Sequence, residues 1–291
     1  AREVDLFSGS AGVMLAGRII GDILGTEWPL ECAELARSKL ERSFHPTGDI
    51  PLWRVDPESD TPYLGCAHGS SGIALALAHW GQRTGDREAL AIALETFHKI
   101  VGRGRTEDGG ALRMALDSTQ FHAPGNWCHG TAGYLWAVLQ AFGDHPDLRT
   151  EIDWAVASVQ STMVAGTPTY CHGLAGRLEL WRLLGEVPRF RELAATQAGK
   201  TARALRVLHR KVGGRIAWMS DDPQVMTPDL WVGFLGPASA LALHAAHASA
   251  PLLSGRWLAQ CASGLGLVKR APEKPVAHLA AGIARNDAQP I

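Results

Sequence analysis

Two short stretches of the sequence combine cysteine, histidine and glycine in the same order. In "CHGTAG" Cys128 and His129 precede the glycines, and in "CHGLAG" Cys171 and His172 do so 43 residues later. Thiolate sulfur and imidazole nitrogen suit zinc, and three protein ligands leave a coordination position open for a substrate. The two stretches therefore predict a metal site assembled from separate parts of the chain. The alternative is that the cysteines are simply buried at helix starts and that hydrogen bonds satisfy the histidines.

Both stretches belong to a Gly-x-x-Gly pattern that occurs five times. The glycine pairs are Gly9 and Gly12, Gly69 and Gly72, Gly130 and Gly133, Gly173 and Gly176, and Gly233 and Gly236. Two further copies carry a chemically useful residue ahead of the glycines: His68 directly precedes its pair, and Asp5 lies four residues before its own. The fifth copy, "LWVG", offers no ligand. We therefore expect a catalytic or metal-binding side chain at four of the five copies.

An apolar helical run follows each glycine pair, and a second helix with a mixed surface fills each interval. The second helices are predicted over residues 31–44, 87–101, 148–164 and 189–209. Helix pairs that repeat with an apolar inner layer favour an all-α fold, an α/α toroid of helical hairpins with Gly-x-x-Gly turns at the inner-helix starts. An open α-solenoid is the alternative. Strand signals are scarce, and "GRIAWMS" (214–220) is a candidate hairpin arm.

The glycines have a physical role in this arrangement. Glycine permits positive φ and close approach of backbone segments, so several helix N-termini can crowd together at one end of a toroid. Helix N-termini carry partial positive charge and unpaired N–H groups. Side chains just before the glycines would then share a central space. The alternative is that the glycines serve only as tight helix contacts.

Composition excludes several classes of function. The chain of 291 residues has 28 basic and 29 acidic residues and a net charge of −1, which gives no nucleic-acid footprint. Its longest apolar runs are about ten residues, whereas a transmembrane helix needs about 20. Five cysteines do not suggest a disulfide framework, and no signal peptide opens the chain, so we expect a cytoplasmic protein. The first residue is alanine, so we expect a preceding portion.

The glycine-led helices, "NWCHGTAG" and "YCHGLAG" resemble the lanthionine synthetase C-like family, the cyclases of lanthipeptide biosynthesis. The resemblance covers all five repeats. It implies an α/α toroid with a central zinc ion held by Cys128, Cys171 and His172. It also implies an active-site histidine at His68 and an acidic residue at Asp5. His129 occupies a position where the family has tyrosine or histidine.

The reaction implied by the resemblance is addition of a precursor-peptide cysteine thiol to dehydroalanine or dehydrobutyrine, which forms a thioether ring. Zinc would lower the pKa of the thiol, since the thiolate is the nucleophile. We expect His68 to take the thiol proton and return one to the enolate, Asp5 to orient His68, and His129 to assist at the enolate oxygen or as an alternative acid. The expected partners are a dehydrated precursor peptide, with leader and core, and a dehydratase, kinase or lyase domain or protein.

The sequence departs from the family pattern at one position. The bacterial cyclases carry an arginine four residues before the first zinc cysteine, where this chain has Pro124. Arg113 and Arg2 are candidate replacements. The family toroid usually has about seven hairpins and the chain has five glycine pairs, so we predict one cyclase domain over 1–291 with further helices or a domain in a preceding portion.

Alternative functions use the same residues differently. Glutathione or another small thiol could be the nucleophile, or a non-catalytic zinc scaffold could bind a peptide. A carbohydrate-active toroid would need paired carboxylates, and the glycine apices offer only Asp5. The remaining cysteines are expected to pack as small hydrophobes, with an auxiliary role considered for Cys66. These are Cys32, Cys66 and Cys261. Four histidines are expected within helices, and a fifth, His122, is a candidate for the cavity lining. The four are His79, His98, His244 and His247.

Overall fold

The computed structural model describes residues 3–44, 53, 62–116, 118–119, 125–161 and 166–247. Within these ranges the protein is all-α apart from one small hairpin, and the α/α toroid predicted from the sequence is confirmed. The inner helices are α1 (Ser10–Leu24), α3 (Ser70–Thr84), α5 (Thr131–Phe142), α7 (Leu174–Leu184) and α9 (Leu235–Ala245). The outer helices are α2 (Trp28–Arg42), α4 (Arg87–Gly104), α6 (Arg149–Ser161) and α8 (Arg191–Val207).

Each of the inner helices α1, α3, α5 and α7 packs against its own outer helix and against the next inner helix along the chain. The inner helices α3 and α5 are buried over most of their length, whereas the outer helices bury one stripe and expose the other face. This division follows from the sequence, because an apolar helix must be covered on all sides and an amphipathic helix needs a partner on one. The four predicted outer helices are all present, two of them preceded by short 3-10 turns, Pro146–Leu148 and Pro188–Phe190.

The strand signal lies in a two-stranded antiparallel hairpin. β1 (Arg210–Val212) pairs with β2 (Arg215–Ala217), and the turn residues Gly213 and Gly214 have φ of 55° and 77°. Positive φ at both central positions is the requirement of a type I′ turn, which suits the twist of two short strands. The hairpin connects the end of α8 with the loop that leads to α9.

The five glycine pairs form an apex where the inner helices begin. The second glycine of each pair contacts the backbone carbonyl six residues earlier in its own loop: a Cβ built on Gly133 would lie 1.7 Å from the oxygen of Trp127, and one on Gly176 would lie 2.2 Å from that of Tyr170. Among the described glycines with positive φ, none belongs to these pairs. Close approach, and not a left-handed backbone, is therefore what glycine provides here.

Backbone hydrogen bonds join each apex loop to the next. The bonds run from the N–H of Phe7 to the carbonyl of Ala67 (3.1 Å), from Ala67 to Cys128 (3.0 Å), from Trp127 to Cys171 (2.8 Å) and from Cys171 to Trp231 (2.8 Å). The side chains of the first and fifth apex also meet, because the rings of Phe7 and Trp231 have centroids 5.3 Å apart. The apex loops therefore form one connected layer that fixes the spacing of the side chains it carries.

Candidate metal centre

Three side chains from the third and fourth apex loops converge into one cluster. The sulfur atoms of Cys128 and Cys171 and a ring nitrogen of His172 all lie within 4.8 Å of one another. Both cysteines are buried, and His172 is partly exposed. A sulfur–sulfur–nitrogen set of this kind, open on one side, could hold a metal ion and leave a coordination position accessible.

Asp221 orients the histidine of this cluster. The Nδ1–H of His172 donates to Oδ2 of Asp221 at 2.5 Å, and the other carboxylate oxygen accepts a 2.7 Å hydrogen bond from the hydroxyl of Thr169. With Nδ1 engaged, Nε2 is the nitrogen that the imidazole offers to the cysteines, as in metal sites where a carboxylate fixes the tautomer of a ligating histidine. The sequence analysis missed Asp221, which lies 49 residues after His172 and in no repeated motif.

Hydrogen bonds among the thiols and the imidazole of the cluster shift the pKa values of all three groups. A hydrogen bond from the Cys171 thiol, with a further one from His172, lowers the pKa of Cys128 to about 4. The same proton sharing raises the pKa of Cys171. Cys128 first, and then Asp221, raise the pKa of His172 to about 9, against the effect of burial. A cysteine that readily loses its proton is a group suited to ligate a cation.

Asp5 and His68 form the second polar pair of the apex. Nδ1–H of His68 donates to Oδ2 of Asp5 at 2.7 Å, and the backbone N–H of Ser8 donates to Oδ1 at 2.7 Å. The Asp5 side chain is 2% exposed and that of His68 is 38% exposed. The hydrogen bond to Asp5 is the largest contribution to a raised pKa of His68, although partial burial opposes it. The pair thus presents one accessible imidazole on a buried carboxylate. The residue that caps the N-terminus of α1 is Gly9, so Asp5 is not part of the helix cap.

His129 has different neighbours from His172, its counterpart one repeat later. Its ring stacks on that of His68, with centroids 5.6 Å apart and an interplanar angle of 29°, and it also contacts the ring of Tyr63 at 5.5 Å. It therefore lies between the metal cluster and the Asp5–His68 pair. Tyr63 is a further apex residue that the sequence analysis did not single out, because it precedes its glycine pair by six residues and belongs to no motif.

A buried arginine lies beside the segment that leads to Cys128. Arg177, on α7, is 5% exposed, and its side chain occupies the space where a Cβ of Gly125 would be. Burial lowers the pKa of its guanidinium. Position 124 and the candidate Arg2 lie outside the described residues, and Arg113 is in the loop after α4, where its N–H bonds to the carbonyl of Gly104 at 2.8 Å. Arg177 could not be recognised from the sequence, since it lies in the largely apolar run that follows the glycine pair Gly173 and Gly176.

Aromatic rings from several apex loops pack against one another. Trp231 has ring centroids 4.6 Å from Trp127 and 5.4 Å from Tyr170, and both of these partners are buried. Phe7 stands at the rim, 49% exposed, with its ring 5.4 Å from His68. Trp127 and Tyr170 directly precede Cys128 and Cys171, so these buried rings place apolar packing beside both cysteines.

The other cysteines and histidines divide into buried and exposed groups. Cys66 is fully buried, which raises the pKa of its thiol, and it packs against Gly133 between the second and third apices. The expectation that Cys32 packs as a small hydrophobe is wrong, because it is exposed on α2. His79 is partly buried on α3, and desolvation, with a smaller effect of Arg18, lowers its pKa to about 3, so it is neutral. Cys261 and His122 lie outside the described residues.

Three more histidines have no part in the apex. His98 on α4 bonds to Glu151 on α6 at 2.7 Å, which links two outer helices. His244 lies on α9, where partial burial and nearby cations lower its pKa, and His247 follows that helix. In the described ranges, no helix combines the length and apolar character needed to span a bilayer.

The comparisons with known proteins agree with this fold. Residues 3–202 match the family described as lanthionine synthetase C-like protein. Nisin cyclase is similar in structure with a TM-score of 0.62 at 17% sequence identity, over 90% of this chain and 68% of that one. Cellobiose 2-epimerase from Spirochaeta thermophila has a TM-score of 0.53 at 20% identity, over 72% of this chain and 60% of that one. At these identities the structural similarities show the fold alone.

The other relatives cover less of the chain. A sugar epimerase from a ruminal bacterium has a TM-score of 0.54 at 15% identity, over 71% of this chain and 60% of that one. Cysteine–tRNA ligase from Xylella fastidiosa strain Temecula1 is 28% identical over 130 residues, which are 41% of this chain and 27% of the relative. The chain thus spans about a quarter of the length of the curated relatives it matches.

Proposed function

The chain belongs to the lanthionine synthetase C-like family, and we propose that it is a zinc-dependent cyclase that forms thioether rings. Its substrate would be a dehydrated precursor peptide, in which cysteine thiols add to dehydroalanine or dehydrobutyrine to give lanthionine or methyllanthionine. The observation that carries the proposal is the convergence of Cys128, Cys171 and His172 within 4.8 Å. A domain or partner with dehydratase, kinase or lyase activity would supply the dehydrated peptide.

Zinc fits the donor set. Two sulfur ligands and one imidazole nitrogen match the soft-to-borderline preference of zinc, and the bond of His172 to Asp221 supplies the carboxylate partner that ligating histidines usually have. The tendency of Cys128 to lose its proton favours a cation at the same place. When bound there, zinc would supply a Lewis acid that lowers the pKa of a substrate thiol.

The addition requires only movement of a proton and formation of a carbon–sulfur bond. The substrate sulfur bonds to the β-carbon of the dehydroamino acid, the β-carbon to α-carbon π electrons form an enolate, and the α-carbon then receives a proton. The thiol hydrogen balances that proton, so no oxidant or reductant is needed. The chain must therefore provide one group that accepts a proton and returns it near the same place.

His68 is the best placed group for this transfer. Its imidazole is partly accessible, and its bond to the buried Asp5 fixes Nδ1 as the donor to the carboxylate, which leaves Nε2 for exchange with the substrate. The raised pKa keeps His68 protonated closer to neutral pH, where it can act as the acid that protonates the α-carbon. His129, stacked on His68, would contact the enolate oxygen or serve as a second acid.

The metal is tested by measuring zinc per chain after purification under reducing conditions. We expect one zinc ion in the parent and a loss of bound zinc in Cys128→Ala and in Cys171→Ala. Cys32→Ala is the matched control, because it removes an exposed thiol on α2 and should retain the metal. A parent protein without zinc after reconstitution, or equal loss in the control, would overturn the metal site.

The reaction is tested by incubating the protein with a dehydrated cysteine-containing peptide and counting free thiols by alkylation and mass spectrometry. A cyclase consumes peptide thiols at constant peptide mass. Addition of glutathione to the assay separates the small-thiol alternative, because glutathione transfer increases the mass of the peptide. No thiol loss in a zinc-loaded parent would favour the non-catalytic scaffold.

A further inference from the structure

The hairpin of β1 and β2 lies close in the chain to Asp221, the hydrogen-bond partner of His172 in the metal cluster. Its last residue, Ala217, precedes Asp221 by four positions, a span of no more than about 14 Å for an extended backbone. Trp218 anchors the base, because its indole N–H donates to the carbonyl of Leu205 at 2.7 Å and its ring is buried. The strands are therefore held at the end of the toroid where the apex loops are.

The hairpin and the end of α8 carry an uninterrupted positive charge. Between Glu192 and Asp221 the sequence has no acidic residue. The six basic residues in that interval are all exposed: Lys200, Arg203, Arg206, Arg210, Lys211 and Arg215. In the part of the chain that the structure describes, none of the six forms an ion pair. Since the whole chain has a net charge of −1, this concentration is a local feature.

Exposed apolar side chains are interspersed with these cations. Val207 is 80% exposed, Val212 50% and Ile216 61%. Residues directly opposite in an antiparallel pair share a face, so Lys211 lies beside Ile216, and Val212 beside Arg215. Each face of the hairpin thus offers both an apolar and a cationic group. Grouped exposed apolar residues of this kind mark interaction surfaces.

The strand edges are the third feature of this surface. The sheet has two strands, so β1 and β2 each leave one edge of backbone N–H and carbonyl groups without a strand partner among the described residues. An extended peptide can pair with such an edge through main-chain hydrogen bonds while its side chains meet those of the hairpin. Nucleic acid and lipid cannot form that ladder.

We propose that the basic hairpin surface, residues 200–217, binds an extended acidic segment of the peptide substrate and holds it beside the apex. Acidic side chains of the segment would pair with the arginines and the lysines, and apolar ones would cover Val212 and Ile216. Docking at this distance raises the local concentration of a tethered thiol at the metal cluster without a further contact. The inference rests on the proposed function for the identity of the peptide, whereas the binding itself requires neither metal nor catalysis.

The test uses a fluorescein-labelled peptide of alternating glutamate and valine, measured by fluorescence anisotropy at low and high salt. We expect saturable binding that weakens as salt increases, and little binding of the matched lysine–valine peptide. The hairpin variant, with Arg210→Glu, Lys211→Glu and Arg215→Glu, should bind about tenfold or more weakly. The neutral variant with glutamine at these three positions should fall between.

A control variant with the same change in net charge separates the surface from general electrostatics. It carries Arg42→Glu, Arg87→Glu and Arg103→Glu, which are exposed on α2 and α4. We expect it to bind like the parent. Equal weakening in both variants, or unchanged binding in the hairpin variant, would overturn the proposal, as would binding of phosphatidylserine vesicles but not of the peptide.

The metal-site variant Cys128→Ala distinguishes the two proposals. It should bind the acidic peptide like the parent although it lacks zinc. If the parent binds the acidic peptide but forms no rings, the proposed function is refuted and the docking surface stands. The parent and the hairpin variant are then compared at peptide concentrations below saturation. If both form rings at the same rate, the docking surface is refuted and the proposed cyclase activity stands.

Discussion

The third and fourth apex loops carry nearly the same sequence but surround their histidines differently. In both, a cysteine and a histidine precede the glycine pair, and the second glycine packs closely against the loop carbonyl six residues earlier. His172 bonds to Asp221, which follows the hairpin, whereas His129 stacks on His68 from the second apex. The motif thus fixes the backbone, and the neighbouring apex decides what the histidine can do.

The difference assigns distinct roles to the two repeats. A carboxylate on Nδ1 prepares His172 to act as a ligand, because it fixes the tautomer and increases the basicity of Nε2. His129 instead stacks on the ring of His68, so two imidazoles from neighbouring apex loops are in contact. Four expected results measure this contrast.

The largest effect is expected from exchanging each histidine for asparagine. His172→Asn should weaken zinc affinity by about a hundredfold or more, since it removes one of the three ligands that we propose for zinc. His129→Asn should retain zinc affinity within about threefold and lower the rate of ring formation. Competition with a chromogenic chelator measures both variants. Equal loss of zinc in the two would mean that the repeats are not distinguished by their neighbours.

The glycines should respond alike in both repeats, because this is the feature they share. Gly133→Ala and Gly176→Ala would each force a Cβ against a loop carbonyl, so each should lower the free energy of unfolding by about 3 kcal/mol. Gly102→Ala is the control, since a Cβ there meets nothing within 4 Å, and on α4 it should stabilise by about 0.5–1 kcal/mol. Chemical denaturation measures all three. A neutral Gly133→Ala would refute the close-approach explanation.

Asp221→Asn should have a smaller effect than loss of the ligand itself. The amide keeps a similar shape but no charge, so we expect zinc affinity to fall by about tenfold to a hundredfold. The matched change in the other pair, Asp5→Asn, should leave zinc affinity unchanged. The same chelator competition measures both variants. An unchanged affinity in Asp221→Asn would show that the carboxylate does not prepare His172.

The smallest effect is a shift in pH dependence. Asp5 raises the pKa of His68, so Asp5→Asn should lower it, and the alkaline limb of the pH–rate profile should move to lower pH. A raised folded-state pKa adds stability below the unfolded-state value of about 6.5, and this is lost as pH rises through the folded pKa. The variant should therefore lose more stability at about pH 5.5 than at about pH 8.5. An NMR titration of His68 that gives the same pKa in both proteins would contradict this.

Much of the fold follows from local pattern. The spacing of the glycine pairs and the alternation of apolar and amphipathic helices predict the toroid and the apex, because each depends on residues close together in sequence. The sequence indicated two uses of glycine at these positions, positive φ and close approach of backbone segments, and only the second applies. Their role is close packing against a carbonyl of the same loop, as Gly133 does on Trp127 and Gly176 on Tyr170, since none of the described pairs uses positive φ.

The partners of the site could not be predicted in the same way. Asp221, Tyr63 and Arg177 reach the apex from other loops and helices, and none stands in a repeated phrase. Their roles depend on which apex lies beside which, and this is fixed by the backbone bonds between loops. The role of His129 could not be predicted either, because the motif "CHG" is identical in both repeats and only the neighbouring loops differ.

The coordination shell of zinc tests the central claim most directly. X-ray absorption at the zinc edge of the reconstituted parent should give two sulfur ligands at about 2.3 Å and nitrogen or oxygen in the remaining positions. Addition of a cysteine-containing peptide should increase the sulfur count to three. A shell with one sulfur, or a shell that does not change with the peptide, would contradict a site built by Cys128, Cys171 and His172 to receive a substrate thiol.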